Sequence, residues 1–326
     1  MDKVKKNAWF SKLIRITSLV FAFITVFNDA ICQQTPSTPI SYKVFTPFIL
    51  NPAIAGSKDF MAIDLSATIQ GEDKSQLLSA NTRIAKKGPR YFGAPVARSY
   101  TQLGVGAALF NDVAGPSRNL GFSAAASYHV ALNDKNLSFL SGGIAIKGIY
   151  NMMDSIPELD APPKNNFIPN IDAGLYYYGK SLYAGISATN ILGNMLDSAD
   201  LAVYNVPVSR EYFFVTGYKF LISKSLNIVI EPSMIIHLND SLNFDEKETY
   251  NPMLKIYLEG FCIGGYLHDY DKLTFFFQYK FPRLYLGTLV DFPRDVPFYK
   301  SDLVIEIAAG INFGNTGSSS RERWHW

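Results

Sequence analysis

Four histidines, His129, His237, His268 and His325, are the residues of this chain that could act as a general base, and one serine, Ser127, lies near the first of them as a possible nucleophile. Ser127 and His129 stand two positions apart in an alternating stretch, so a strand would place both side chains on one face. A serine nucleophile needs a histidine base that is itself oriented by a third group. The sequence contains no G-x-S-x-G turn, and His237, His268 and His325 have no such serine beside them. We therefore expect no enzyme.

The sequence also gives no pattern for a metal or another cofactor. No histidine or carboxylate pair has the i,i+4 spacing of a helical metal site on a stretch that could form a helix. The acidic stretch NDSLNFDEKE at 239–248 lacks the central glycine of a calcium loop, which favours a solvated loop. The two cysteines, Cys32 and Cys262, fit no zinc spacing and cannot build a disulfide framework. We expect no cofactor and no metal.

Composition separates the chain from ordinary soluble proteins. Only 18% of its 326 residues are charged, while 24 are Phe and 19 are Tyr; soluble domains have roughly 25% charged residues. The net charge is +2, with acids and bases mixed and no basic stripe. These features exclude an electrostatic case for a nucleic-acid partner.

The first 32 residues have the order of a secretory signal. Five Lys and Arg residues precede an apolar stretch at 16–27, which is followed by the small-residue segment NDAIC. We expect residues 1–32 to be a signal peptide, with Gln33 first in the mature chain. Two alternatives stay open, namely a lipoprotein carrying lipid on Cys32 and a retained membrane helix.

Period-two alternation dominates the rest of the chain. In 60–70, 117–132 and 301–313 the apolar residues fall on one face and the polar residues on the other. The lengths suit tilted strands that cross a bilayer. The pattern predicts strands at 60–70, 75–85, 100–110, 117–132, 136–150, 167–178, 181–189, 209–222, 225–238, 249–259, 261–268, 272–281, 283–291 and 301–313.

The lengths of the joins between these strands predict the orientation of the barrel in the membrane. From the fourth strand onward, very short joins alternate with long ones. Outer-membrane barrels have short periplasmic turns and long extracellular loops; the stretch 86–99 is a long exception on the short side. We expect an all-β outer-membrane barrel of about 14 antiparallel strands. A soluble β protein is the alternative, but the polar faces carry too few charges for a surface in bulk water.

Several charged residues fall on the face that a barrel would turn inward. Opposite charges there could pair across a narrow lumen and close it, whereas a hydrated porin-like wall is the alternative reading. Tyrosines near the strand ends suggest interface girdles. The candidate lumen charges are Asp64, Lys147, Lys219, Glu231, Lys255, Lys280 and Glu306, and the girdle candidates are Tyr100, Tyr150, Tyr178, Tyr212, Tyr250 and Tyr279.

Five motifs in order resemble the PorP/SprF family of type IX secretion system membrane proteins. The stretch FTPFILNPAIAGS resembles the family's N-terminal signature, and its motif residues here are Asn51, Pro52, Ala53 and Gly56. The other motifs lie at 170–192, 211–236, 264–281 and 305–313.

This resemblance implies a fourteen-stranded barrel that assists secretion or surface attachment of large proteins such as gliding adhesins. It implies several partners, namely the type IX translocon, periplasmic ring or peptidoglycan-linked proteins, and a secreted adhesin with a C-terminal sorting domain; outer-membrane lipid surrounds such a barrel. A channel for a small or apolar solute is the alternative function, and a purely structural barrel is a third. The expected division is a signal peptide at 1–32, a lead-in at 33–59, a barrel at 60–313 and a flexible tail at 314–326.

The lead-in contains two prolines within an apolar run. Pro47 and Pro52 fix φ and bias the preceding residues to extended or turn geometry. We expect the segment to pack Phe45, Phe48 and its neighbours Ile49 and Leu50 against or inside the barrel mouth without adding a strand. An ordinary turn into the first strand is the other reading.

Overall fold

One antiparallel sheet contains nearly all of the described chain. The computed structural model describes residues 40–58, 60–70, 73–85, 100–115, 117–133, 138–154, 163–193, 209–223, 225–240, 242, 244, 249–268, 272–281, 283–293 and 304–313. The strands are β1 (Met61–Gln70), β2 (Asp73–Ala85), β3 (Tyr100–Ala114), β4 (Ser117–Asn133), β5 (Ser138–Met153), β6 (Lys164–Tyr178), β7 (Leu182–Thr189), β8 (Glu211–Tyr218), β9 (Phe220–Ser223), β10 (Ile228–Asn239), β11 (Tyr250–Leu258), β12 (Phe261–His268), β13 (Lys272–Lys280), β14 (Leu284–Pro293) and β15 (Val304–Phe313).

The sheet closes on itself. Apart from β8 and β9, strands that are neighbours in sequence pair antiparallel, and β1 pairs with β15 through partners such as Leu65 and Ala309. β8 and β9 both pair with β10, so they are two parts of one strand and the barrel has fourteen strands. Closure leaves no unpaired edge, which is what a sheet inside a bilayer requires. The predicted fold class is confirmed.

A proline causes the break between β8 and β9, where the sequence predicts one strand over 209–222. Pairing of β8 with β10 stops at Gly217 and Ser233, and pairing of β9 with β10 resumes at Phe220 and Ile230. Pro232 of β10 lies in the gap and has no N–H to donate to the ladder. Lys219 lies at this break and keeps the inward parity of Phe213 and Gly217.

Several strands are longer than the alternation predicts. β3 continues to Ala114, β5 to Met153, and β6 begins already at Lys164. The extra residues include polar ones such as Asn111 and Asp112, which end the apolar pattern while the backbone ladder continues. Periodicity reports the part of a strand that meets lipid, so it underestimates these strands.

The two rims of the barrel differ. One rim carries the joins 134–137, 179–181, 224–227, 259–260 and 281–283, together with 86–99 and the start of β1; we call it the short-loop rim. The opposite, long-loop rim carries 154–163, 190–210, 240–249 and 294–303, but also the short joins 71–72, 115–116 and 269–271. The short join 269–271 departs from the strict alternation that the sequence predicts.

The barrel has its apolar side out and its polar side in. Ile144 and Ile146 on β5 are 61% and 58% exposed, whereas Ser141 on the inner face of the same strand is 1% exposed. Such an outer surface is stable only where lipid covers it. Among the described residues, no helix has the length and apolar character needed to cross a membrane.

Substitution of Ile144 tests the lipid-facing side. Lysine at this position should destabilise the membrane-inserted barrel by about 2–4 kcal/mol, because the charge would lie in hydrocarbon. The folded fraction in urea titrations of vesicle-inserted protein measures the change. Leu242→Lys is the control, since Leu242 is 50% exposed but lies outside the strands. Equal stability of both variants would contradict the assignment of the outer face.

Candidate functional site, a plug seated in the barrel lumen

The segment before β1 lies inside the barrel. It contains α1 (Ile40–Val44) and two 3₁₀ turns, Pro47–Ile49 and Pro52–Ile54, and each turn begins with a proline. Proline suits this position because its fixed φ matches the turn and its missing N–H would have no partner there. We call residues 42–58 the plug. The described part of the lead-in, residues 40–58, thus forms a short helix and compact turns and adds no strand to the sheet.

The plug spans most of the length of the lumen, as its contacts with β2 show. Near the short-loop rim, Arg83 Nε donates to Gly56 O at 2.8 Å. Toward the long-loop rim, the Tyr42 hydroxyl lies 3.4 Å from Ser75 Oγ. Arg83 and Ser75 are eight positions apart on one strand, which corresponds to about 27 Å along the tilted strand. The plug therefore extends through the lumen from near the short-loop rim toward the long-loop rim.

Side chains of the wall hold the plug by its backbone carbonyl groups. Ser187 Oγ donates to Leu50 O at 2.7 Å, and Ser141 Oγ donates to Ala53 O at 2.7 Å. Ser127 Oγ donates to Ala55 O at 2.6 Å. With Arg83 on Gly56 O, these donors lie on β7, β5, β4 and β2, so the plug crosses the inner face strand by strand. Each buried carbonyl contacted in this way avoids the cost of an unmet hydrogen bond.

Asn51 is the most fully engaged residue of the plug. Its Oδ1 accepts from Ala53 N at 3.0 Å and caps the second turn. Its Nδ2 donates to Leu175 O at 3.1 Å and to Ile186 O at 3.4 Å. The side chain therefore clamps the plug to both β6 and β7, with its acceptor and its two donors in use.

Glycines of the wall make room for the plug. A Cβ on Gly143 would lie 2.5 Å from Pro52 C and Ala53 N, and a Cβ on Gly185 would lie 2.9 Å from Asn51 Nδ2. On the plug itself, Gly56 has φ +68° and packs against Gly104. Glycine inside a strand weakens it, so such positions mark close approach of another backbone.

The wall residues Arg83, Ser127, His129, Ser141 and Ser187, with the glycines Gly104, Gly143, Gly174 and Gly185, form what we call the plug seat.

The Ser127 and His129 pair belongs to the plug seat. His129 Nε2 lies 2.9 Å from both Ser127 Oγ and Ala55 O, and its Nδ1 lies 3.0 Å from the Tyr178 hydroxyl. One proton arrangement fits these contacts: Nε2–H donates a bond shared between Ala55 O and Ser127 Oγ, Ser127 donates to Ala55 O, Tyr178 donates to Nδ1, and Arg83 donates to Tyr178. The serine and histidine thus hold the plug backbone.

The opposite wall packs against the plug through apolar side chains. Phe45 and Leu50 are buried there, and Phe45 lies 5.8 Å from Tyr285 between ring centroids. This inner surface, which we call the apolar arc, consists of Phe213, Val229, Ile235, Met253, Tyr257, Cys262, Tyr266, Phe276, Tyr285, Leu289 and Ala308 on β8 and β10–β15. The lumen is therefore held by hydrogen bonds on one side and by hydrophobic packing on the other.

The structure places all seven candidate lumen charges on the inner face. Asp64, Glu231 and Glu306 are buried, and Lys147, Lys219, Lys255 and Lys280 are partly buried. Lys147 Nζ lies 2.9 Å from Asp172 Oδ2, and Glu231 lies 3.6 Å from Lys255 and 3.8 Å from Lys219. These pairs join neighbouring strands along the wall and do not cross the lumen, whose axis the plug occupies.

The surrounding wall shifts the pKa of two titratable groups of the plug. Burial, with the nearby charges of Asp112 and Glu306, raises the pKa of the Tyr42 hydroxyl far above its ordinary value, so it remains a hydrogen-bond donor. Burial lowers the pKa of the Lys58 ammonium, while the carboxylate of Asp64 opposes this shift. Asp64 also accepts a 2.7 Å hydrogen bond from Tyr285.

Sequence reasoning missed several residues of this site. Arg83 and Ser141 carry no motif, and only their inward position on the alternating strands could have indicated them. Ser187 lies in the 170–192 motif, but the motif gave it no role at a binding site. Tyr178, predicted as an interface residue, points into the lumen, where it contacts His129 and Arg83. Even-numbered residues face inward along β6, so the alternation of this strand already predicted an inward position for Tyr178.

The described residues contain no group of three or more His, Cys, Asp or Glu side chains that could hold a metal ion. His268 Nε2 lies 3.1 Å from Asp291 Oδ1, and Thr274 donates to the same oxygen at 2.9 Å. Because the threonine bonds the carboxylate and not the histidine, this is not a nucleophile and base in series. The predicted signal peptide at 1–32, the tail at 314–326 and His325 lie outside the described residues.

Comparison with known proteins gives one family and a set of distant barrels. A profile described as "Type IX secretion system membrane protein PorP/SprF" matches residues 33–308. No curated protein matches the chain.

Among solved structures, the KdgM porin aligns with a TM-score of 0.38 and 10% identity over 77% of this chain and 99% of its own. Omp33 of Acinetobacter baumannii, an outer membrane protein, aligns with a TM-score of 0.43 and 11% identity over 79% and 100%.

Proposed function

The chain belongs to the PorP/SprF family of type IX secretion system membrane proteins, and from this premise we propose that it assists the secretion or surface attachment of a large cell-surface protein by binding and positioning it. The family match over residues 33–308 carries this proposal. The protein is exported by its N-terminal signal, inserts in the outer membrane and works with the type IX translocon. Gliding adhesins with C-terminal sorting domains are the class of cargo.

The plugged lumen supports a role in binding over a role in conduction. Residues 42–58 lie along the axis and are fixed to β2, β4, β5, β6 and β7. The closed sheet then acts as a rigid platform, and the long joins 154–163, 190–210, 240–249 and 294–303 are its recognition surface. Periplasmic ring or peptidoglycan-linked proteins would meet the opposite rim.

Replacing residues 194–208 with a short Gly-Ser linker tests the role of the long-loop rim. We expect the amount of surface protein to fall severalfold while the amount of folded barrel in the outer membrane stays constant, because only the recognition surface is removed. Protease accessibility of the cargo on intact cells and heat-modifiable migration of the barrel measure the two quantities. A three-residue insertion at Gly115, an exposed turn of the same rim with open space around it, is the control. Normal cargo display in the loop variant would contradict the proposal.

Passage of a small apolar solute is a second candidate function, and the apolar arc favours it. An inner wall that contains Phe213, Phe276 and Leu289 resembles a path for an apolar molecule more than a path for ions. Solute uptake lost on deletion, with surface display intact, would favour this function. Co-purification of translocon components in detergent would favour the secretion role.

A further inference from the structure

We infer that the plug seat is a peptide-binding site that selects the sequence Asn-Pro-Ala-x-Ala-Gly, and that a separate peptide with this sequence binds there once the chain's own plug has been released. The described contacts between residues 50–56 and the wall are hydrogen bonds and packing contacts. The covalent connection to β1 runs through residues 57–60 and takes no part in them.

The backbone contacts give the seat its affinity. Carbonyl groups of Leu50, Ala53, Ala55 and Gly56 accept from Ser187, Ser141, Ser127 and Arg83 at 2.6–2.8 Å. These donors stand on strands of a closed, fully paired sheet, so they keep their positions when the plug leaves. A second peptide of the same conformation meets a preformed row of donors.

The side chains of the plug give the seat its selectivity. Asn51 fits between Gly174 and Gly185 and donates to carbonyls of β6 and β7. An aspartate there would lose both donors and bring a charge into a buried position, which weakens binding strongly. Ala53 and Ala55 are fully buried, so larger side chains have no space. Ile54 is only partly buried, which leaves its position tolerant.

Gly56 adds a conformational requirement. Its φ is +68°, and a Cβ at this position would lie 2.6 Å from Gly104 Cα and 2.9 Å from Thr82 O. Both neighbours are backbone atoms of paired strands and cannot move aside. Alanine would therefore suffer an unfavourable φ and a clash at once.

The test uses the folded full-length barrel with a protease site inserted after Lys58. After cleavage and release of the plug at raised temperature, a fluorescent peptide of residues 44–58 is added and its anisotropy is measured. We expect one peptide bound per cut barrel. Binding to the uncut barrel should be negligible, because the tethered plug competes at high effective concentration.

Competition by unlabelled peptides then tests selectivity. The Asn51→Asp and Gly56→Ala peptides should compete at least about tenfold more weakly than the wild-type peptide, whereas Ile54→Val should compete equally. Three results would overturn the inference. They are retention of the cut plug under all conditions in which the barrel stays folded, no binding after mass spectrometry shows its release, and equal competition by all peptides.

Discussion

Replacing Gly143 with alanine is expected to displace the plug from its seat and to open the lumen to ions. The new Cβ would lie 2.5 Å from Pro52 C and Ala53 N, which are backbone atoms of the plug. Relief requires a shift of the 3₁₀ turn at Pro52–Ile54, and this shift also breaks the 2.7 Å bond from Ser141 to Ala53 O. Overpacking of a filled interior costs about 1–3 kcal/mol even where side chains can adjust.

Planar-bilayer conductance measures the outcome most directly. The wild-type barrel should show almost no steady current, and the Gly143→Ala barrel should show discrete openings and a lower thermal midpoint. Gly142→Ala is the matched control on the same strand, because a Cβ there meets only Leu175 Cδ2, at an ordinary 3.5 Å. Identical conductance and stability for all three proteins would show that the position of the plug does not depend on the missing side chain at Gly143.

The lipid-facing residues of each strand could be predicted from the sequence, because contact with lipid requires an apolar side chain at every second position. Residues such as Ile144 and Ile146 alternate with small or polar ones along the strands, and that rule gives the number of strands and the side of each strand that meets lipid. Strand ends were less predictable, since β3 continues through Asn111 and Asp112, where the backbone ladder extends beyond the apolar pattern.

The inner half follows no such rule. The apolar arc faces the lumen with apolar side chains, which a water-filled channel would not favour. They are stable there because Phe45 and Leu50 of the plug cover part of the arc. Likewise, Gly143 and Gly174 look like ordinary small wall residues until the path of the plug is known. The pairing of Asn51 with Leu175 spans 124 positions of sequence, and only the register of the closed sheet brings the two together.

The Ser127 and His129 pair shows why residue types alone mislead at such a site. On one strand face they have the composition of a nucleophile and its base, and they do lie 2.9 Å apart. The third group is a backbone carbonyl of the plug, Ala55 O, within hydrogen-bond distance of both. In an enzyme these polar atoms could activate a nucleophile. In this barrel they form hydrogen bonds with a buried peptide carbonyl group.

Replacing Glu231 with glutamine should cause the largest loss of barrel stability among single substitutions of the wall. Its carboxylate accepts from Tyr183 at 2.8 Å and from Tyr257 at 3.0 Å, and it faces Lys255 and Lys219 at 3.6 and 3.8 Å. Glutamine keeps the shape but removes the negative charge that faces both ammonium groups. Removing one partner of a buried ion pair costs about 3–5 kcal/mol.

Urea-induced unfolding in detergent, monitored by far-ultraviolet circular dichroism, measures this change in stability. Glu211→Gln is the matched control, since Glu211 lies 3.9 Å from His237 and both side chains are about one-third exposed; its loss should stay below about 1 kcal/mol. A double variant, Glu231→Gln with Lys219→Met, separates charge from packing. If the charge argument is right, the second change restores part of the stability, because it removes one ammonium group that the glutamine can no longer balance. If the double variant is less stable than Glu231→Gln, the carboxylate acts through its tyrosine hydrogen bonds and the lysines contribute by packing alone.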